Sequence, residues 1–123
     1  MLLVESFRSL LGERPEKLAR ELSLQALVGY RRVRAQAPDL SGEPLYQRVM
    51  SSHFGVDDAR ARALVEGARE SYADWPIARE LTLSDVVHYL VAERCRDPQE
   101  PDQTHRIHGR IGRVVRNIIP QDI

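Results

Sequence analysis

The sequence predicts an all-α protein, a single compact bundle of five to six helices that occupies residues 1–123 as one domain. Apolar residues recur every three or four positions along most of the chain, as they do on one face of an α-helix. No stretch shows the sustained apolar–polar alternation between hairpin turns that is typical of a strand. The composition, 42% hydrophobic and 29% charged, is that of an ordinary globular domain.

The first predicted boundary lies near the N-terminus. Residues 2–12 carry an apolar stripe that ends at Gly12. Pro15 suits the first position of a second helix, where its missing N–H costs no hydrogen bond. We therefore expect two helices in this region, the second running to about residue 36.

The second predicted helix has two apolar faces. Its main stripe consists of Leu18, Leu22, Ala26, Tyr30 and Val33. Leu24, Leu27 and Val28 lie on another face. Either the helix is buried on two sides, or it breaks near Ser23.

Three further helices are predicted between residues 41 and 96. Ser41 is a candidate N-cap, and Gly55 closes the helix that follows it. The next helix begins near Asp57 and ends at Pro76, and the third begins at Thr82. Asp85 stands three residues after Thr82, as in a capping box. In the first of these helices, the expected buried residues are Leu45, Tyr46, Val49, Met50 and His53. In the second they are Ala61, Leu64, Val65, Ala68, Tyr72 and Trp75, and in the third they are Leu83, Val86, Val87, Leu90 and Val91.

The last predicted helix follows the break at residues 97–101 and ends at Pro120. It combines an apolar stripe with a basic flank, although the formal net charge of the whole chain is zero. Residues 103–123 contain four arginines and a single acidic residue, Asp122. The stripe is formed by Ile107, Ile111, Val114 and Ile118, and the arginines are Arg106, Arg110, Arg113 and Arg116. These arginines are the candidate partner-binding residues, because guanidinium groups bind carboxylates through paired hydrogen bonds.

Residues 48–65 have the outline of a helix-turn-helix unit around the turn at Gly55. In such a unit the second helix enters the DNA major groove, where Arg60 and Arg62 are the candidate contacts. Asp57 and Asp58 occupy the early positions of that helix and would repel phosphates. The pattern is weak, since any two helices joined by a short turn produce it, so DNA binding is the alternative hypothesis.

Two pairs at helical spacing, His105 with His108 and Asp85 with His88, have the residue types of a metal site. With Leu83 at the centre of the buried face, Asp85 and His88 are expected to point to solvent, so we predict no metal site and no cofactor.

Two further residues have reactive side chains. His53 lies on an apolar face and is a candidate ligand-binding or pH-sensing residue, although a buried histidine bonded to the backbone or to Tyr46 is the more usual arrangement. Cys95 lies between Arg94 and Arg96, whose charges are expected to lower its thiol pKa. We interpret this cysteine as incidental.

The function that the sequence favours is binding or regulation without catalysis. It contains no glycine-rich phosphate loop, nucleophile elbow, HExxH motif or EF-hand loop, which disfavours an enzyme; a metal- or ligand-dependent enzyme is the last alternative. The segment MLLVESFRSLL is too short and polar for a signal peptide or membrane span, and the arginine-rich composition is typical of GC-rich bacterial genomes. We therefore expect a cytoplasmic bacterial protein that contacts another protein, or a second copy of itself, through the basic end helix.

Overall fold

Five α-helices make up most of the part of the chain that the computed structural model describes. The backbone is described over residues 2–71, 80–96 and 103–123, and the side chains over the same ranges except 2–13 and 103–106. The helices are α1 (Leu2–Gln36), α2 (Gly42–His53), α3 (Asp58–Ser71), α4 (Leu83–Arg94) and α5 (Gln103–Ile118). These ranges contain no strand, which confirms the predicted all-α class. Within them, no helix has both the length and the apolar character needed to cross a lipid bilayer.

The first helix is continuous, and the predicted boundary between Gly12 and Pro15 is wrong. Pro15 lies inside α1 rather than at the start of a separate helix. Gly12 is not among the glycines with a positive φ, so it does not adopt the left-handed backbone that often ends a helix. Pro15 removes the hydrogen bond that its N–H would donate to Leu11, a loss of roughly 3 kcal/mol. The strong helix formers that follow, in residues 16–22, help to continue the helix beyond that loss.

The packing order makes α1 and α4 the central helices of the bundle. Helix α1 packs against α2, α4 and α5, and α4 packs against α1, α3 and α5. Helix α3 also packs against α2. The core therefore lies between α1 and α4, and the remaining helices enclose it.

The buried stripe of α1 is built largely from small residues. Ala19, Ser23 and Ala26 are fully buried, and Gly29 is buried one turn further on. Small side chains allow neighbouring helices to approach α1 closely. Both sequence-based alternatives for the second apolar face are wrong, because α1 does not break near Ser23 and is not buried on two sides. Leu24 is 51% exposed and Val28 is 46% exposed.

Helices α2 and α3 bury the faces that their periodicity predicts. The buried residues are Leu45, Tyr46, Val49 and Met50 in α2 and Ala61, Leu64, Val65 and Ala68 in α3. His53, also expected on the buried face of α2, is only partly buried. Ser41 occupies the predicted N-cap position of α2, although its side chain makes no capping hydrogen bond. The Asp57 carboxylate accepts a hydrogen bond from the Arg60 N–H at 2.7 Å and so caps α3. The predicted continuation of this face to Tyr72, Trp75 and Pro76 lies outside the described residues.

Helix α4 begins with the predicted capping box. The Thr82 N–H donates to Asp85 Oδ2 at 2.9 Å, and the Asp85 N–H donates to Thr82 Oγ1 at 3.3 Å. The Leu83 N–H donates to the carbonyl of Ile123 at 3.3 Å. The predicted core residues Leu83, Val86, Val87, Leu90 and Val91 are all buried.

Helix α5 is rotated relative to its predicted apolar stripe. Ile111, Val115 and Ile119 are fully buried, whereas Ile107, Val114 and Ile118 are only partly buried. The predicted stripe is centred near Ile107 and Ile118, and the burial is centred near Val115, roughly 60° further round the helix. Val115 and Ile119 belong to the core because α5 faces both α1 and α4, and contact with two neighbours widens the buried face.

Gly29 of α1 lies directly against His53 of α2. A Cβ atom at this position would lie 2.7 Å from His53 Cγ and 3.0 Å from His53 Cβ. These separations are shorter than van der Waals contact, so the His53 ring occupies the space that the absence of a side chain at Gly29 provides.

We predict that Gly29→Ala destabilises the protein by about 1–2 kcal/mol, even after alanine's higher helix propensity is counted, because His53 must move. The matched control is Gly109→Ala, since a Cβ at Gly109 meets nothing within 4 Å. That variant should be more stable than the original chain by about 0.5–1 kcal/mol. Urea unfolding of both variants measures the difference. Equal stabilisation by the two substitutions would contradict the close contact between Gly29 and His53.

Candidate functional site

The predicted basic residues of α5 divide between the sides of the helix. Arg110 lies on the side facing α1, Arg116 lies on the side facing α4, and Arg113 lies between them on the solvent side. Together they span roughly 120° of the helix surface. The side chain of Arg106 lies outside the described residues.

Arg110 forms an ion pair with Glu16 of α1. Its Nη2 donates to Glu16 Oε2 at 2.7 Å, and its Nε donates to Glu16 Oε1. This two-point arrangement matches the planar guanidinium to the planar carboxylate and fixes the orientation of both. The hydrogen bond raises the pKa of Arg110 and lowers the pKa of Glu16. The charge of Arg113 also lowers the pKa of Glu16, to a smaller extent. Arg110 therefore ties α5 to α1.

Arg113 and Arg116 differ from Arg110 because both are exposed. Neither forms an ion pair with a carboxylate in the described part of the chain. A Cβ at Gly112 would lie 3.1 Å from Arg116 Nη1 and 3.5 Å from His88 Cε1. The Arg116 guanidinium therefore lies over Gly112, next to the α4 residue His88, and the outer surface of α5 presents two guanidinium groups to solvent.

Two charged residues of α1, Arg14 and Glu16, lie close enough to the end of α4 for their charges to act on Cys95. Arg14 is exposed. The one carboxylate in this group, Glu16, is already engaged by Arg110.

His88 and His108 come together where α4 meets α5. Their ring centroids are 5.0 Å apart. The expectation that Asp85 and His88 point to solvent is wrong, since Asp85 is 6% exposed and most of His88 is buried. The reason is that α4 packs against three helices, so its buried surface extends nearly all the way round. Leu83 therefore does not define a single buried face.

Burial lowers the pKa of His88 to about 4. Electrostatic interactions with His108 and Arg116 also lower this pKa, and the charge of Asp85 raises it. His88 is therefore neutral at pH 7. Among the described residues, no three His, Cys, Asp or Glu side chains form a group that could hold a metal ion. The side chain of His105 lies outside those residues.

The predicted helix-turn-helix outline is present as α2, a short turn and α3, but its two arginines have different surroundings. Arg60 pairs with Glu93 of α4 at 2.9 Å. Arg62 lines an open cleft of ≈ 300 Å³ between α2 and α3, together with Arg48 and Asp58. The remaining residues of that lining are Leu40, Pro44, Gln47, Ser51 and Ala61. Of the two candidate DNA contacts, Arg60 is thus held in an ion pair, and Arg62 shares its cleft with the Asp58 carboxylate.

The two remaining candidates are partly buried. His53 packs on Gly29 as described above, and its backbone carbonyl accepts a hydrogen bond from Gln25 Nε2. Cys95 is also partly buried, and burial raises the pKa of its thiol. The expectation that neighbouring cations lower this pKa is wrong, because the effect of burial is larger than the opposing effect of Arg14.

The sequence does not predict the Glu16–Arg110 pair, and the expectation that His88 points to solvent led us to reject a site that combines His88 with His108. Glu16 and Arg110 are 94 positions apart, so no local spacing connects them. His88 and His108 are likewise brought together by the packing of α4 on α5. The only feature of the sequence that indicated this site was α5 itself, which is basic and contains no acidic residue.

Comparison with protein-family models, with curated proteins and with solved structures finds no match to this chain.

We predict that the protein loses stability as the pH falls from about 6.5 towards 4, because the unfolded chain binds a proton at His88 more readily than the folded one. Between pH 7 and pH 5 the loss from this residue should reach up to about 2 kcal/mol. His88→Gln should remove most of that loss, since glutamine does not titrate. Urea unfolding at both pH values tests this, and an identical pH dependence in the two proteins would show that His88 is not responsible.

Proposed function

We propose that this chain is a non-catalytic binding protein that attaches to an acidic segment of another protein through the outer face of α5. The observation that carries the proposal is the pair of exposed guanidinium groups, Arg113 and Arg116, without carboxylate partners in the described part of the chain. Arginine makes charge-assisted, two-point hydrogen bonds with carboxylates, so an Asp- or Glu-rich surface is the complementary partner.

Arg110 has a positioning role in this proposal. Its ion pair with Glu16 fixes the side of α5 that packs on α1, and it engages the carboxylate whose pKa Arg113 also lowers. Within the described residues, Arg113 itself forms no ion pair with a carboxylate. The arginines of α5 thus serve two purposes, since one orients the helix and two are available to a partner. Arg106, whose side chain is not described, completes the predicted set.

DNA binding through residues 48–65 is the second candidate function. The observation that favours it is the convergence of Arg48 and Arg62 on one open cleft. Two features oppose it. Arg60 is held by Glu93, and the start of α3 carries Asp57 and Asp58, whose charges repel phosphates. The outer face of α5 carries no acidic residue, and protein binding is therefore the better-supported function.

We predict that a short glutamate peptide, added at low salt, shifts the side-chain NMR signals of Arg113 and Arg116 more than those of Arg48 and Arg62. The double variant Arg113→Glu with Arg116→Glu should bind the peptide at least about tenfold more weakly, since each lost contact is charge-assisted. Arg48→Glu with Arg62→Glu changes the charge by the same amount on another face and should bind normally.

The same experiment separates the two candidates when short mixed-sequence duplex DNA is added instead of the peptide. DNA binding that disappears in Arg48→Glu with Arg62→Glu, and persists in the α5 variant, would replace our proposal with the second candidate. Peptide binding that is equally weakened by both double variants would also contradict it, because the interaction would then depend on total charge alone.

A further inference from the structure

The outer face of α1 exposes apolar residues that the bundle does not cover. Leu24 and Val28 are one helical turn apart and are the two large hydrophobic residues classed as exposed among the described side chains. Among the described side chains of α1, those of residues 14–36, all the buried ones lie on the opposite face of the helix. This surface is independent of the outer face of α5.

The exposed positions around Leu24 and Val28 follow the spacing of a coiled-coil seam. Intervals of four, three, four, three and four residues keep one narrow line of side chains facing a partner helix. We call this line the outer seam; it consists of Lys17, Glu21, Leu24, Val28, Arg31 and Ala35, all of which are exposed. The outer seam is about 27 Å long at the rise of an α-helix.

The outer seam is complementary to itself when two copies run in opposite directions. With the two-fold axis level with Ala26, Leu24 of one copy lies opposite Val28 of the other. Glu21 then lies opposite Arg31, and Lys17 lies opposite Ala35. We propose that this chain forms a symmetric homodimer through antiparallel contact between the outer seams of two α1 helices.

The charges specify the direction of the pairing. In a parallel, in-register pair, each Glu21 would face the Glu21 of the second copy, and each Arg31 would face the second Arg31. In the antiparallel pair, each Glu21 meets Arg31 of the second copy. Arg32 of that second copy lies on the same flank of the contact as Glu21. Lys17 occupies each end of the contact, where its long side chain extends into water, and Arg20 lies level with Arg32 of the second copy but on the opposite flank of the seam. The opposite charges therefore favour the antiparallel register.

The experiment is sedimentation equilibrium of the full chain at protein concentrations from about 10 µM to about 1 mM. We expect a reversible monomer–dimer equilibrium. Leu24→Ser with Val28→Ser should be monomeric and should remain helical, because neither residue belongs to the buried core. Glu21→Arg should weaken dimerisation at least about tenfold, since it sets a positive charge against Arg31 of the second copy. Glu66→Arg, the same charge change on the exposed face of α3, should have no effect.

A charge exchange tests the register directly. The double variant Glu21→Arg with Arg31→Glu keeps the composition unchanged and should restore dimerisation. Mixing the two single variants, Glu21→Arg and Arg31→Glu, should produce a heterodimer, because each supplies the charge that the other lacks. A chain that is monomeric throughout this concentration range would overturn the proposal. A dimer that ignores Leu24→Ser with Val28→Ser, or an exchange variant that stays monomeric, would overturn it as well.

Discussion

The small residues on the inner face of α1 are the constraint on which the bundle depends. Three helices pack against α1, and its buried positions include Ala19, Ser23, Ala26 and Gly29. A helix that must accommodate several close neighbours on one face cannot present large side chains at every contact. The packing of His53 on Gly29 is the clearest instance, because even one added carbon atom would overlap with the ring. Concentrating the contacts on one face also explains why Leu24 and Val28 on the opposite face remain exposed.

The central position of α4 decides the electrostatics of the candidate site. Contact with α1, α3 and α5 buries Asp85 and most of His88 in addition to the apolar residues of α4. His88 is consequently neutral at pH 7, and both His88 and Arg116 lie beside Gly112 of α5. On the opposite side of α5, Arg110 is neutralised by Glu16. Two exposed arginines, Arg113 and Arg116, thus remain available to a partner.

Local patterns were sufficient to predict much of the fold. The faces of α2 and α3, the capping box of Thr82 and Asp85, and the apolar core of α4 follow from spacing within a few turns of helix. The predictions failed where several helices meet. The stripe of α5 and the burial of His88 depend on contact with more than one neighbour, which a periodicity centred on one face does not represent. The Gly12–Pro15 boundary failed for another reason, because Pro15 can lie inside a helix when its neighbours are strong helix formers.

The candidate site was predictable only in part. The composition of residues 103–123 shows that α5 is basic. It does not show that Arg110 pairs with Glu16 while Arg113 and Arg116 are exposed, because that depends on where α1 places Glu16. Part of the outer seam of α1 was visible in the sequence, which placed Leu24 and Val28 on a second face together with Leu27. Its exposure could not be derived, because the sequence does not say which face the other helices cover.

Native-state hydrogen exchange tests the organising role of α1 most directly. If the small-residue face of α1 holds the bundle together, the amides of Ala19–Val33 exchange only when the whole protein unfolds. Their opening free energies should then equal those of Val86–Val91 in α4. Rapid exchange across Ala19–Val33, with α4 still protected, would show that the bundle persists without these contacts and would contradict the account.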